Sequence, residues 1–124
     1  MEIRIKRIYD DHHDGDGFRV LVDRLWPRGV KKQAAEVDVW AKEIAPSDGL
    51  RKEFHDLGPE SFDEFRDHYR DELEAHRGEL EELLDEAGDA SGGGKVKLTL
   101  LYASRDEKHN NAVVLAEVLR SMDA

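Results

Sequence analysis

The chain has 124 residues, no cysteine and a formal net charge of −10 at pH 7. The absence of cysteine excludes disulfides, thiol nucleophiles, iron–sulfur clusters and cysteine-ligated zinc. The length suits one hydrophobic core, so we expect residues 1–124 to form a single domain. The negative charge disfavours nucleic acid as a partner. Because neither a membrane-spanning apolar run nor an export signal is visible, we expect no membrane contact and a cytoplasmic location.

The acidic residues are spread along the chain, with 29 Asp and Glu against 19 Lys and Arg. Dense surface carboxylates keep a protein hydrated in concentrated salt, so we favour adaptation to a high-salt cytoplasm. The alternative interpretation is an ordinary acidic protein.

The first third of the chain predicts three short strands. Ile3 and Ile5 alternate with charged residues, which indicates a strand near a sheet edge with one face in water. Alternation over residues 18–23 predicts a second strand, and the short connection over residues 10–17 favours a hairpin between the two. A weaker alternation over residues 37–44 predicts a third strand.

Helical patterns follow in the middle of the chain. Ser47 is placed to cap a helix over residues 48–55. Capping-box spacing at Ser61 begins a long amphipathic helix over residues 62–87, which Gly78 could bend or divide. Two helices are therefore expected before the last strand.

The last part of the chain predicts a buried strand and a final helix. His76 lies on the apolar stripe, where we expect a hydrogen-bonded core histidine. Residues 89–94 indicate a flexible linker, and residues 96–103 a central strand. Capping-box spacing at Ser104 precedes a helix over residues 107–121. The predicted order is β-β-β-α-α-β-α, a small α/β sheet of about four strands, mixed or mostly parallel, with helices packed on it.

The first candidate site is the polar segment Asp23–Gly29, which follows the second strand. Such loops carry the sites of α/β folds. Arg24 and Arg28 could clamp a carboxylate or phosphate, and Asp23 is a candidate for proton transfer. The structural alternative is that Asp23 pairs with an arginine while Trp26 covers the core.

A second polar segment follows the last strand. A strand, a polar loop and a helix N-terminus together favour an anion, because free backbone amides and the helix dipole attract negative charge. Arg105 would add a fixed charge, and His109 could titrate near neutral pH. Alternatively, Ser104 and Asp106 simply cap the helix. The candidate ligand-binding residues here are Ser104, Arg105 and Asn110, and the candidates for proton transfer are Tyr102 and His109.

Metal and cofactor signals are weak. The loop Asp10–Gly17 has carboxylates and imidazoles, but His12 and Leu21 break the calcium-loop spacing, so a solvated acidic loop is expected. A metal held by His12 and His13 has no support from spacing, and we assign no metal ligands. Dinucleotide, P-loop, nucleophile-elbow and zinc-protease motifs are absent, which leaves any cofactor unknown.

Four segments carry a resemblance to a known family. They are RVLVDRLWPRG (19–29), DVWAKEIAPS (38–47), FDEFRDHYRDEL (62–73) and LLYASRDEKHNNAVVL (100–115). Together they resemble the YeaO-like branch of the domain-of-unknown-function 488 family, in the same order over nearly the whole chain. The resemblance implies a small cytoplasmic α/β protein and no particular activity. Other branches have a D-x-R-x-x-P-like segment, which residues 23–28 approximate, and some have cysteines where Tyr102 and Ser104 stand here.

The leading hypothesis is an arginine-lined cleft that binds a small anionic ligand at the ends of the second and last strands. It requires Arg28 and Arg105 to lie on the same side of the molecule. The alternative is a non-catalytic interaction or regulatory module, such as a homodimer or adaptor, with Trp26 and Trp40 at its surface. Whether the protein is an enzyme stays open. Nucleic-acid binding would need one basic face.

Overall fold

A computed structural model describes residues 1–123 as a parallel sheet with helices packed on it. The four strands lie in the order β1-β4-β2-β3, and every neighbouring pair is parallel. The α/β prediction is therefore confirmed. The strands are β1 (Glu2–Arg7), β2 (Phe18–Leu21), β3 (Val39–Trp40) and β4 (Lys97–Tyr102).

Five α-helices accompany the sheet. Short 3-10 turns also occur at Asp14–Asp16, Lys42–Ile44 and Pro59–Ser61. None of the helices within residues 1–123 is long and apolar enough to cross a membrane. The α-helices are α1 (Lys32–Ala35), α2 (Asp48–Leu57), α3 (Phe62–Ala75), α4 (Arg77–Ala90) and α5 (Asn111–Asp123).

Strand β4 lies inside the sheet, as its apolar run predicts. Leu98, Leu100 and Leu101 are fully buried, since β4 has a strand on each side and packing on both faces. Strand β1 lies at one edge, which confirms the prediction from its alternating charges.

The predicted hairpin between β1 and β2 is wrong. Strand β4 lies between these two strands and pairs in parallel with both. Residues 8–17 therefore form a crossover without an α-helix. Gly17 permits the tight entry into β2, because its φ is +68° and a Cβ atom would lie 2.5 Å from the Lys97 carbonyl oxygen.

The two faces of the sheet are covered differently. Helices α2 to α5 pack on the first face and form the main core with Val20, Leu98 and Leu100. Loops and the single turn α1 cover the second face. The smaller cluster there contains Ile8, Leu21, Ala35 and Leu101, with Trp26, Val30, Val37, Trp40 and Ala103 packed against it.

The long predicted helix is divided at His76 rather than at Gly78. His76 ends α3 with φ −113°, and the break lets Leu73 and Leu80 share one core. The expectation of a core histidine is wrong, since the His76 side chain is 42% exposed, with Nδ1 3.6 Å from Glu79.

Two further boundaries differ from prediction, and a third agrees with it. Ser61 does not cap α3, because its hydroxyl donates instead to the Gly58 carbonyl at 2.7 Å. The predicted linker is partly helical, since α4 continues to Ala90. The Ser47 cap is confirmed, with Ser47 Oγ accepting from the Leu50 amide at 3.3 Å.

Candidate functional site

A cavity opens at the carboxyl ends of β2 and β4. The chain after β2 turns to the second face of the sheet, whereas α5 packs on the first face. Connections that diverge from neighbouring parallel strands leave a crevice between them. Its volume is about 490 Å³, within the range of small-molecule sites. The lining residues are Asp23–Arg28, Pro46, Arg51, Phe54, His55, Gly58, Pro59, Phe65, Ala103, Ser104, Asp106, His109, Asn110 and Asn111.

Asp23 joins the ends of β2 and β4 at the cavity. Its Oδ2 accepts from the Ala103 amide at 2.9 Å, and its Oδ1 accepts from Asn111 Nδ2 at 3.2 Å. Asn111 also donates to the Val22 carbonyl at 2.9 Å. Burial raises the pKa of the Asp23 carboxyl, although the hydrogen bonds from the Ala103 amide and Asn111 Nδ2 act to lower it. Asp23 does not pair with an arginine, contrary to the structural alternative.

Arg24 holds one wall of the cavity in place. It donates from Nε to the Pro46 carbonyl at 3.0 Å and from Nη2 to the Ala45 carbonyl at 3.3 Å. Glu72 holds the same segment by accepting from the Ser47 amide at 2.9 Å and the Ser47 hydroxyl at 2.6 Å. Much of the hydrogen-bonding capacity of Arg24 is therefore used within the fold.

Arg28 and Arg51 retain unused hydrogen-bonding capacity. Within residues 1–123, the exposed Arg28 guanidinium has neither a hydrogen-bond nor an ion-pair partner. Arg51 Nε is buried without an acceptor, and Arg51 Nη2 makes only a 3.4 Å contact with Asp48. The Arg28 guanidinium and the exposed part of the Arg51 side chain are therefore available to an anion, whereas the buried Arg51 Nε is not.

Aromatic residues reach the cavity from both faces of the sheet. Phe54 and Phe65 stack with ring centroids 4.6 Å apart and belong to the helical side. Trp26 belongs to the second face, where it packs edge-on against Trp40 at 5.4 Å. Its indole nitrogen donates to the Val30 carbonyl at 2.7 Å, which fixes the ring. The interpretation of Trp26 as a cover for the core is therefore confirmed.

The loop after β4 places an Asp–His pair at the cavity. Asp106 accepts from the Lys108 and His109 amides at 2.9 Å each, and its Oδ2 lies 3.0 Å from His109 Nδ1. These backbone hydrogen bonds, and then the His109 ring, lower the pKa of Asp106. Ser104 Oγ accepts from the Asp106 amide at 3.1 Å. The loop is thus held by side chains that accept hydrogen bonds from its own backbone amides.

The comparison with known proteins identifies the family. The family model described as "Inactive DUF488-N3 subclade" matches residues 2–123. The chain belongs to this DUF488 family. It is 46% identical to "Uncharacterized protein YeaO" of Escherichia coli over 122 residues, which are 98% of this chain and 100% of that protein.

Mycobacterial relatives also match. The chain is 40% identical over 119 residues to "Uncharacterized protein Rv3073c" of Mycobacterium tuberculosis and "Uncharacterized protein Mb3100c" of Mycobacterium bovis, covering 94% of this chain and 92% of each relative. No solved structure matches the chain. The resemblance stated from the sequence is confirmed.

Most of the sequence-predicted site residues of this DUF488 member meet at the cavity. Asp23, Arg24, Arg28, Ser104, His109 and Asn110 all line it. Tyr102 instead points into the helical core, where burial raises the pKa of its hydroxyl. Arg105 is exposed and lies outside the lining.

Asn110 has a structural role at the start of α5. Its Oδ1 accepts from the Val113 amide at 3.1 Å, and its Nδ2 donates to the Asp106 carbonyl at 2.8 Å. Helix α5 begins at Asn111, so the predicted start at residue 107 is wrong. Asp106 and its neighbours form turns there because the Asp106 carboxylate binds two consecutive amides.

Arg51, Phe54, Phe65 and Asn111 were missed by sequence reasoning. The first two lie on α2, one turn apart, and α2 reaches the cavity only through its packing on α3. Asn111 stands beside Asn110 in the same motif, and its side chain reaches β2. The helical spacing of Arg51 and Phe54 was the one sequence signal that could have assigned α2 to the site.

The acidic loop after β1 shows no cluster of metal-ligating side chains, nor does any other part of residues 1–123. His12 Nδ1 contacts Glu36 at 2.8 Å. Asp16 is buried and not solvated as predicted, because Lys6 and Arg19 both bind its carboxylate.

Proposed function

We propose that this protein binds a small organic anion in the cavity at the carboxyl ends of β2 and β4. The observation that carries the proposal is the pair Arg28 and Arg51, which line the same cavity, while the 3.4 Å contact of Arg51 with Asp48 is their one side-chain ion pair within residues 1–123. A planar guanidinium pairs with a carboxylate or phosphate through two parallel hydrogen bonds. A bound oxyanion would also give an acceptor to the Arg28 guanidinium.

The charge distribution supports an anion. The chain carries a formal net charge of −10, yet Arg24, Arg28 and Arg51 meet at the cavity. Of the two carboxylates in the lining, Asp106 is engaged by backbone amides and His109. A cleft with cations and apolar walls concentrates anions from solution, even on an acidic protein.

We propose binding without turnover. The matching family is described as an inactive subclade. This description supports a non-catalytic role, which is one of the two alternatives drawn from the sequence. A pure interaction surface has less support, because Trp26 and Trp40 both use their indole N–H groups inside the fold and pack edge to edge. Neither tryptophan offers a flat exposed patch.

Thermal unfolding with added phosphate, acetate, benzoate and phenyl phosphate tests the proposal. A native-state ligand at about a hundred times its dissociation constant adds about 2.7 kcal/mol to the free energy of unfolding. We expect a stabilising shift that Arg28→Ala removes. Arg105→Ala is the matched control, because it removes the same charge from an exposed position outside the cavity. The proposal is wrong if no oxyanion acts beyond the effect of chloride, or if both variants lose the shift equally.

A further inference from the structure

The cavity offers an unused acceptor at Asp23. Each carboxylate oxygen of Asp23 receives one neutral N–H donor, and among residues 1–123 neither oxygen has a cationic partner. A carboxylate can accept about four hydrogen bonds, so lone pairs remain. The chemical complement of this group is an N–H or O–H on the ligand.

Aromatic side chains form part of the cavity lining. Phe54 stacks with the buried Phe65 on the helical side, and Trp26 belongs to the opposite face of the sheet. Because aromatic rings pack through offset stacks and edges, such a lining suits a flat ring. Pro46 and Pro59 add apolar surface.

The cavity lining also holds cations. Arg28 is exposed, Arg51 is half-buried, and Asp23 joins the ends of β2 and β4. The lining therefore combines a carboxylate acceptor, aromatic and apolar side chains, and arginine cations. A ligand that uses all three carries a hydrogen-bond donor, a flat apolar part and an anionic group.

We infer that the ligand is an aromatic or heteroaromatic oxyanion that also carries an N–H or O–H donor. The donor meets Asp23, the ring packs against Phe54 and Trp26, and the oxyanion meets Arg28 and Arg51. This inference rests on the proposed anion binding and names its substrate class. Carboxylate and phosphate share the chemistry that the arginines require.

Calorimetric titration of the native chain tests the class with matched probes. We expect 4-aminobenzoate to bind about tenfold tighter than 4-methylbenzoate, because only the former donates a hydrogen bond to the Asp23 carboxyl. Benzoate should bind more tightly than cyclohexanecarboxylate, which has the same charge but no flat ring. Comparing benzoate with phenyl phosphate assigns the anionic group as carboxylate or phosphate.

Two variants test the two polar contacts of the ligand, and a third serves as the control. Asp23→Asn should bring the ratio of 4-aminobenzoate to 4-methylbenzoate affinity close to one. Arg28→Ala should weaken both probes by the same factor, and Arg105→Ala should weaken neither. Circular dichroism verifies that each variant is folded, and the four-probe comparison on the native chain stands without any variant.

The outcomes separate this inference from the proposed function. Binding of inorganic phosphate or acetate at the Arg28 site without binding of the aromatic probes overturns the inference and leaves the anion site standing. Aromatic binding with no preference for a donor also overturns it. Failure of every oxyanion to bind overturns both proposals.

Discussion

Two polar regions of the molecule differ in how completely their charges are satisfied. Under the loops of the second face, Arg19 is 3% exposed, and each of its nitrogens has a partner. Nη1 lies 2.5 Å from Asp16, Nε donates to the Glu36 carbonyl at 3.1 Å, and Nη2 donates to the Ala35 carbonyl at 3.0 Å. Lys6 also binds Asp16, at 3.0 Å. No guanidinium nitrogen of Arg19 therefore remains available to a ligand.

The cavity at the other end of the strands is incompletely satisfied. Arg28 has no partner within residues 1–123, Arg51 Nε is buried without an acceptor, and Asp23 retains free lone pairs. Burial of a charge alone therefore does not indicate function in this fold. The indication is unused hydrogen-bonding capacity beside an open volume.

The largest loss of stability is expected when the network of Arg19, Asp16 and Lys6 is broken. Arg19→Met leaves the buried Asp16 with Lys6 as its one cationic partner, beside the His13 amide, and we expect a loss of about 3 kcal/mol in the free energy of unfolding, because removing one partner of a buried pair strands the other. Urea unfolding measures it. Arg4→Met is the control, since Arg4 is half-exposed and pairs with Glu2 at the surface, where about 0–1 kcal/mol is expected. Equal losses in the two variants would contradict the comparison.

Alanine substitutions at two glycines allow the rigidity of the two regions to be compared. Gly17 enters β2 with φ +68° and lies against Lys97, whereas Gly29 follows Arg28 with φ +75° and has open space around it. We expect Gly17→Ala to cost about 3 kcal/mol through strain and a backbone clash, and Gly29→Ala about 1 kcal/mol through strain alone. Thermal unfolding of both variants measures the difference. A larger cost at Gly29 would show that the cavity loop is the more tightly constrained region.

The carboxyls of Asp16 and Asp23 should respond to pH with opposite signs. Burial opposes ionisation of Asp16, but hydrogen bonds from the His13 amide, Lys6 and Arg19 outweigh it and lower the pKa of Asp16. The stability that Asp16 contributes is therefore present above its ordinary pKa of 3.8 and lost as the pH falls through the lower folded value. Burial raises the pKa of Asp23, so its contribution is present at low pH and lost as the pH rises through the raised value.

Unfolding free energies of Asp16→Asn and Asp23→Asn against the native chain, from pH 7 to pH 3, measure these signs. As the pH falls, the native chain should lose its advantage over Asp16→Asn and gain relative to Asp23→Asn. Stability differences that change with pH in the same direction for both variants would contradict the opposite pKa shifts of Asp16 and Asp23.

The smallest expected effect is at the cavity cations. Arg51→Leu removes a buried N–H that has no acceptor and a long 3.4 Å ion pair, so we expect a change within about 0.5 kcal/mol in stability. Chemical unfolding without ligand measures it, with Arg19→Met as the reference for a structural arginine. A loss above about 1.5 kcal/mol would assign Arg51 to the fold rather than to binding.

The candidate site was predictable where it depends on chain position after a strand. Asp23, Arg28, Ser104 and His109 follow β2 and β4, and parallel strands bring their carboxyl ends to one edge. Arg105 follows β4 as well, but the turns around Asp106 leave it exposed outside the cavity. Position along the chain thus predicts the region, whereas the local turn decides which side chains enter it.

The sequence by itself determined the α/β class, the central position of β4 and the edge position of β1, because hydrophobic periodicity reports how many faces of a strand are covered. Only the tertiary structure decided that β4 lies between β1 and β2, because strand order depends on long-range packing that no local pattern records. It also brought Arg51 and Phe54 from α2 to the cavity, since helix packing joins residues far apart in the chain. The same packing left Arg19 satisfied inside β2 and Arg28 without a partner after it, although the two arginines are only nine residues apart.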